Sequence, residues 1–190
     1  MTDQPLPGNI RTRVLPADSP GAIDAALATL RDGRLVVFPT DTVYGVGCDP
    51  RDPAAIAALY RAKERPLEMA IPVLLSTGQH LNQVSRCVPA ELHALAERFW
   101  PGALTIIVPR SPDLPGILTA GGDTVAVRVP DHPTARALIE AAGGALAVTS
   151  ANRSGQPAPQ TAQEALADLD GRVDLVLDGG ACPGGVASSI

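Results

Sequence analysis

The sequence is poor in aromatic residues, which make up 3% of its 190 positions. A buried core must therefore consist of Ala, Val, Leu and Ile, and the 45% share of hydrophobic residues is large enough to build one. No apolar run reaches the roughly 18–20 residues of a membrane-spanning helix, and residues 1–10 lack the features of a signal peptide. We therefore expect a globular chain without a membrane segment, whose length fits one domain better than two.

The sequence also has few cysteines, and its net charge is negative. The three cysteines lie far apart and are odd in number, which disfavours a disulfide framework and favours a cytoplasmic location. Neither they nor the three histidines show metal-ligand spacing, so no metal site is predicted. The formal net charge of −5 argues against a protein that wraps nucleic acid over a broad surface, while a local basic pocket stays open.

Lysine is nearly absent: the sequence has 14 arginines and a single lysine, Lys63. A position that keeps lysine against this bias indicates a need for a compact ammonium rather than a planar guanidinium. Chance survival of one lysine explains the count equally well. The neighbours of Lys63 must therefore decide between the two interpretations.

Alternating strand and helix patterns run along the chain. Strands are predicted at residues 12–15, 34–38, 71–75, 104–108, 124–129, 145–149 and 173–177. Ser19 is predicted to cap a first helix with Pro20 in its first turn, and Gly33 to end it. Asp52 and Pro53 are predicted to open a helix at residues 54–63. Further helices are predicted at residues 89–99, between Asp131 and Gly143, and from Thr161 onward. Because the strands at 104–108 and 124–129 are joined without a helix, we predict a single-domain α/β fold with a twisted mixed sheet and flanking helices.

The common nucleotide-binding and hydrolase motifs are missing. The sequence has no Gly-x-x-x-x-Gly-Lys-Ser/Thr motif, and no Gly-x-Gly-x-x-Gly follows the first long strand. It also lacks the Gly-x-Ser-x-Gly elbow of α/β-hydrolases. Any phosphate chemistry must therefore use another arrangement of residues.

Polar residues follow the buried strand at 34–38, in a segment that contains Thr40, Asp41, Thr42, Gly45 and Gly47. Ligands of α/β proteins usually bind where strands end, so these hydroxyls, the carboxylate and the glycines could hold a small polar molecule. A structural turn with local hydrogen bonds accounts for the same residues.

A second candidate segment holds Lys63 and Arg65, where a helix ends before Pro66. In an extended stretch, residues two apart point the same way, so these two cations would form an anion site, such as one for a polyphosphate. A basic helix C-terminus that answers the helix dipole explains Lys63 but not Arg65.

Two further candidates lie later in the chain. Ser150 and Asn152 follow the strand at 145–149 and offer neutral donors and acceptors to a nucleotide, or else belong to an ordinary polar loop. Arg128 lies in a strand of valines, where a buried charge needs an anionic partner. That partner is either a ligand or a carboxylate of the chain itself.

Together these segments resemble the threonylcarbamoyl-AMP synthase family, the YrdC-like proteins. The resemblance runs from about residue 16 to the end and rests on residues 39–45, Lys63-x-Arg65-Pro66, residues 100–105 and 124–130, Ser150-x-Asn152-x-Ser154-Gly155 and the Ser188-Ser189 tail. It implies a YrdC-like catalytic domain at residues 16–190, with a large concave cavity, behind a lead-in segment at residues 1–15.

The resemblance also implies an activity. Members are nucleotidyltransferases that convert L-threonine, bicarbonate and ATP, with Mg²⁺ bound to the substrate, into threonylcarbamoyl-AMP and pyrophosphate. The product serves the threonylcarbamoyladenosine modification of tRNA, which a tRNA threonylcarbamoyl-transferase complex completes downstream. No permanent cofactor is implied.

Roles carry over onto matching positions. The implied ATP-binding residues are Lys63, Arg65, Thr124, Ser150, Asn152 and Ser188. Lys63 and Arg65 would hold the phosphates and act as the catalytic residues. The implied threonine-binding residues are Thr40, Thr42 and Arg128, and Arg128 would pair with the threonine carboxylate.

This sequence departs from the family pattern at three positions. Met69 cannot supply a polar nucleotide contact, Leu74 stands where many members have histidine, and Ala158 stands where serine is common. Members also continue past the position of Ile190.

The alternative function is an RNA-binding module of the same fold without catalysis, and weak RNA binding is compatible with the enzyme as well. The acidic net charge and the lack of basic, aromatic-interleaved stripes argue against a dedicated RNA binder.

Overall fold

One mixed sheet organises the part of the chain that the computed structural model describes, residues 10–183. Its strands are β1 (Arg13–Pro16), β2 (Val36–Phe38), β3 (Gly45–Cys48), β4 (Val73–Leu75), β5 (Ile106–Pro109), β6 (Thr124–Arg128), β7 (Ala145–Ser150) and β8 (Leu175–Asp178). They lie in the order β1-β8-β2-β3-β7-β4-β6-β5. Strand β8 runs parallel to β1 and β2, β4 runs parallel to β6, and the other neighbours are antiparallel. The predicted mixed α/β fold is confirmed.

Helices flank this sheet close to the predicted positions. They are α1 (Ala22–Arg31), α2 (Pro53–Lys63), α3 (Leu81–Val84), α4 (Ala90–Phe99), α5 (Pro133–Ala141) and α6 (Ala162–Leu169). The Asp52 carboxylate caps α2 by accepting from the Ala54 and Ala55 amides, and the Thr161 hydroxyl caps α6. Asp52 and Thr161 therefore fix these two helix starts from the sequence alone.

The predicted start of α1 at Ser19 and Pro20 is wrong. The helix begins at Ala22 after Gly21, which has a left-handed φ of 78° and makes no side-chain cap. The Ser19 hydroxyl instead donates to the Pro16 carbonyl at 2.7 Å. A competing local hydrogen bond of this kind is the usual reason that a serine fails to cap.

Two hydrophobic clusters lie on opposite faces of the sheet. One face packs against α1 and α5 through residues such as Phe38, Leu74 and Val148. The other packs against α2, α4 and α6 and contains, among others, Val37 and Val73. Neighbouring residues of one strand belong to different clusters, as the two-residue period of a β-strand requires.

Strand β3 was not predicted, because its sequence is rich in glycine. Glycine has low β-propensity, but here it lets strands and side chains approach closely. A Cβ built on Gly45 would lie 2.8 Å from Val148 Cγ1, and one on Gly47 would lie 3.1 Å from the Ala147 carbonyl oxygen. These glycines therefore serve the packing of β3 against β7.

Candidate functional site

A cavity of about 330 Å³ opens on the sheet face that α1 and α5 partly cover. Its wall includes Leu74 and Val148, which belong to the core cluster of that face. The volume lies within the range of about 300–1,000 Å³ that is typical of small-molecule sites. Four predicted site residues line it: Thr40, Thr42, Arg128 and Ser150.

The buried Thr40 hydroxyl organises the turn that forms one side of this cavity. It donates to the Val43 carbonyl at 2.6 Å and accepts from the amides of Thr42 and Val43 at 3.2 and 3.3 Å. The donor of Thr40 is thus used inside the turn, as the structural interpretation of this segment required. Thr42, whose hydroxyl lies 3.1 Å from that of Thr40, is less buried.

Arg128 ends β6 with its side chain 5% exposed and forms an ion pair with Asp41. Its Nη2 lies 2.5 Å from Asp41 Oδ2, and its Nε donates to the Gly102 carbonyl at 2.7 Å. Its Nη1 lies 3.5 Å from the Thr42 hydroxyl. The guanidinium therefore has a carboxylate of the chain as a partner while it also lines the cavity.

Lys63 is the last residue of α2 and is only 1% exposed. Its ammonium donates to the backbone carbonyls of Ser150 and Asn152. Burial lowers the pKa of Lys63 to about 8, the charge of Arg65 adds to this effect, and Asp168 opposes it. Lys63 thus joins α2 to the loop after β7 with one donor of its three left for a ligand.

The expectation of an extended stretch around Lys63 and Arg65 is wrong. Helix α2 includes Lys63, and Glu64 adopts a left-handed conformation with φ 52° and ψ 39°. The Arg65 guanidinium folds back onto the carbonyls of Met69 and Ala70 at 3.0 and 2.9 Å. Strand alternation therefore does not align these two side chains, because the backbone reverses at Glu64.

Asn152 holds the loop after β7 rather than projecting freely from it. Its Nδ2 donates to the carbonyls of Arg153 and Gln156 at 2.8 and 2.7 Å. Its Oδ1 is buried without a hydrogen-bond partner among residues 10–183. The amide oxygen of Asn152 is therefore the part of this side chain that a ligand could engage.

Thr124 and Ser188 complete the list of predicted ATP-binding residues. Thr124 is exposed at the start of β6, on the same strand face as Ala126 and Arg128 by the two-residue period. Lys63, Arg65, Thr124 and Asn152 are not among the residues that line the 330 Å³ cavity. Ser188 lies outside the described residues.

The structure adds residues that the sequence interpretation did not assign to the site. Tyr44 is buried, donates to the Gly180 carbonyl at 2.6 Å and accepts from the Gly179 amide at 3.1 Å. Burial raises the pKa of Tyr44 to about 12, so its hydroxyl stays protonated. It ties the cavity wall to the segment after β8. Tyr44 lies within residues 39–45, on which the family resemblance rests, but the sequence interpretation assigned it no role.

The three departures from the family pattern fall in different places. Leu74 and Ala158 line the cavity, and Leu74 is the register partner of Arg128 across β4 and β6. Met69 is exposed and does not line it. The apolar residues at 74 and 158 therefore make part of the cavity wall hydrophobic.

Membrane-spanning helices and metal clusters are both absent from the described part of the chain. None of the helices within residues 10–183 has the length and hydropathy of a membrane span. The same residues contain no group of three or more His, Cys, Asp and Glu placed to hold a metal ion.

The fold and the cavity define an α/β protein with a cavity of small-molecule size beside a buried arginine on a mixed sheet. The sequence model of the Sua5/YciO/YrdC family, described as telomere recombination, matches residues 28–190. The chain belongs to this family.

Curated relatives and a solved structure support the assignment. The threonylcarbamoyl-AMP synthase of Bacillus subtilis is 43% identical over 169 residues, which are 88% of this chain and 49% of the relative. That of Halorhodospira halophila is 37% identical over 164 residues and covers 86% of each chain. The crystal structure of Pyrococcus abyssi Sua5 complexed with L-threonine matches with a TM-score of 0.87 and 37% identity, over 95% of this chain and 53% of that one. The chain thus spans about half the length of the Bacillus and Pyrococcus proteins.

Proposed function

We propose that this protein is an L-threonylcarbamoyladenylate synthase, a nucleotidyltransferase that makes threonylcarbamoyl-AMP and pyrophosphate from L-threonine, bicarbonate and ATP. One observation carries the proposal. A buried arginine and a threonine-rich turn line a small-molecule cavity, in a chain 37% identical to a Sua5 protein that was solved with L-threonine. The name of the Halorhodospira relative, which is close to this chain in length, supports the same activity.

The threonine side of the site is formed by the turn and by β6. Arg128 takes the threonine carboxylate, because its guanidinium lines the cavity and its planar donors match the geometry of a carboxylate. Thr42 helps to seat the substrate through its hydroxyl. Thr40 acts by holding the turn in shape, since its donor is engaged by Val43.

The nucleotide side is formed by α2 and the loop after β7. Lys63 and Arg65 stabilise the ATP phosphates, and Ser150, Asn152, Thr124 and Ser188 contact the nucleotide. The Lys63 ammonium is held in place by hydrogen bonds to the carbonyls of Ser150 and Asn152, which supports this role. A charge that is already positioned needs no reorganisation during the reaction. Mg²⁺ enters with ATP and is held by phosphate and water oxygens.

The reaction needs positioning more than covalent catalysis. The threonine nitrogen, as the free amine, attacks the carbon of bicarbonate or CO₂. A C–N bond forms in either case. With bicarbonate, one C–O bond breaks and the hydroxyl leaves with the amine proton as water. With CO₂, one C=O π bond breaks and the amine proton passes to solvent. A carbamate oxygen then attacks the α-phosphorus of ATP, the bond to the β-phosphate breaks, and pyrophosphate leaves. Orientation and cationic stabilisation supply most of the rate in such a site.

The product has a defined use in this proposal. It carries an activated threonylcarbamoyl group, which a tRNA threonylcarbamoyl-transferase complex places on tRNA in the cytoplasm. An RNA-binding module without catalysis is the second candidate.

Pyrophosphate release separates the two candidates. We expect pyrophosphate from ATP only when L-threonine and bicarbonate are both present. Equal release without an amino acid would contradict the proposed reaction. No release under any condition, together with tight RNA binding measured in parallel, would favour the RNA-binding module.

A further inference from the structure

Asp41 carries one carboxylate oxygen for which residues 10–183 supply no hydrogen-bond partner. Its Oδ2 forms the ion pair with Arg128, while its Oδ1 is buried and has no hydrogen-bond partner within residues 10–183. An ionised carboxylate is an acceptor on both oxygens, and a buried acceptor without a donor is costly. An acceptor of this kind calls for a donor, which a ligand bound at the paired Arg128 could supply.

The position of Asp41 suits a ligand contact. It lies between Thr40 and Thr42 in the chain, and both of these residues line the cavity, as does its partner Arg128. Asp41 is not itself one of the lining residues, but its carboxylate is paired with the Arg128 guanidinium, which does line the cavity. Two other titratable groups, His132 and Cys182, lie within electrostatic range of Asp41. Neither forms a hydrogen bond to its Oδ1 among the described residues.

The pair of charges matches the zwitterion of an amino acid. The carboxylate and ammonium groups of an α-amino acid are bonded to the same carbon, so its two charges are as close together as those of Arg128 and Asp41. An ammonium group offers three donors, and a carboxylate oxygen is the acceptor that it binds most strongly.

We propose that Asp41 binds the α-ammonium group of the amino-acid substrate while Arg128 binds its carboxylate. This inference rests on the proposed function and extends it, because this nitrogen, after the ammonium has lost a proton to solvent, is the atom that the proposed reaction carbamoylates. Asp41 is thus a substrate-positioning residue that fixes the nucleophile, and it restricts the site to ligands that carry a free α-amino group.

The alternative is that Asp41 only balances the charge of Arg128. In that case, removal of the Asp41 charge would disturb Arg128 and weaken every carboxylate ligand alike. A comparison of two ligands that differ only in the ammonium group separates the alternatives, because a structural effect cancels in the ratio of their affinities.

The test uses L-threonine and (R)-3-hydroxybutanoate, which keeps the carboxylate, hydroxyl and methyl groups and lacks the amine. Calorimetric dissociation constants are measured for the wild type, for Asp41→Asn, and for Asp131→Asn as a matched control. The control removes an exposed carboxylate near the end of β6. We expect the wild type and Asp131→Asn to prefer L-threonine by at least about tenfold, and Asp41→Asn to prefer it by less than about threefold.

Each outcome has one meaning. Equal weakening of both ligands in Asp41→Asn, with the preference intact, would overturn the role of Asp41 and leave the proposed function standing. If the wild type prefers L-threonine over (R)-3-hydroxybutanoate by less than about threefold, the proposed role of Asp41 is overturned. This result needs no variant, so the test still works if Asp41→Asn does not fold. A wild type that does not bind L-threonine at all would overturn the proposed function and this inference with it.

Discussion

Lys63 Nζ lies 2.5 Å from the carbonyl oxygen of Ser150, so that the last residue of α2 contacts the last residue of β7. The Ser154 amide returns a hydrogen bond to the Lys63 carbonyl at 2.8 Å. The single lysine of the chain therefore fixes the loop that carries Ser150 and Asn152, in addition to any contact with ATP.

Lys63→Arg is expected to lower kcat/KM for ATP at least about tenfold, or roughly 1.4 kcal/mol. The ammonium lies in a buried space between two carbonyls, and a guanidinium is larger and planar. Steady-state pyrophosphate release with varied ATP measures the effect, and a thermal melt confirms folding. Arg61→Lys, an exchange at an exposed position of the same helix, is the control and should match the wild type. Full activity of Lys63→Arg would make the rarity of lysine an accident of composition.

We expect the depressed pKa of Lys63 to make the proposed ATP binding depend on pH. With a pKa of about 8, and with only the charged form binding, the dissociation constant for ATP rises roughly eightfold between about pH 7.5 and about pH 9. Calorimetry at the two pH values measures the change, and Lys63→Met should show a smaller one. An unchanged affinity in the wild type would remove Lys63 from the phosphate site.

The protonation of Lys63 also affects the free energy of unfolding. A rise in pH should weaken ATP binding through Lys63, but it increases the contribution of Lys63 to stability. The folded-state pKa of Lys63 lies below its ordinary value of 10.5, so the unfolded chain binds more protons between the two values. The contribution of Lys63 to the free energy of unfolding therefore rises with pH across this window, and below it the cost of burying the charge is fully present. Urea titrations of the wild type and of Lys63→Met across this pH range isolate the contribution.

Arg128→Lys is expected to raise KM for L-threonine at least about tenfold and to change KM for ATP by less than about threefold. Lysine keeps the charge that Asp41 needs, but it cannot contact Gly102, Thr42 and Asp41 at once. Arg110→Lys is the matched control, because Arg110 contacts the carbonyls of Gly122 and Leu114 and does not line the cavity. If KM for ATP changes instead, Arg128 belongs to the phosphate side.

Gly45→Ala is expected to lower the free energy of unfolding by about 1–3 kcal/mol through overpacking. The added Cβ would lie 2.8 Å from Val148 Cγ1, so the double variant Gly45→Ala/Val148→Ala should recover at least about 1 kcal/mol relative to additivity. Gly116→Ala is the control, since a Cβ there meets nothing within 4 Å. Urea denaturation measures these variants beside Val148→Ala and the wild type, and strict additivity would contradict the packing role of Gly45.

Local patterns in the sequence predicted much of this structure. The capping residues Asp52 and Thr161 marked helix starts, because a cap acts on amides two or three residues away. The valines around Arg128 predicted that this arginine is buried and needs an anion. These features depend on neighbours in the chain, so they can be inferred without the fold.

Features that depend on distant residues could not be inferred. Any of 20 acidic residues could have paired with Arg128, and only the fold selects Asp41. Strand β3 escaped prediction because Gly45 and Gly47 are stabilised by their fit to β7 rather than by propensity. The direction of Arg65 depends on the left-handed conformation of Glu64, which is rare for a residue with a side chain.

In the proposed reaction, one site joins three substrates into one adenylate. The most direct test incubates the protein with ATP, ¹⁴C-bicarbonate and ³H-threonine and separates the nucleotide products. We expect one AMP-containing product that carries both labels in equal amounts and forms together with an equal amount of pyrophosphate. An adenylate that carries threonine without the bicarbonate label, or ATP consumption that yields no doubly labelled product, would contradict it.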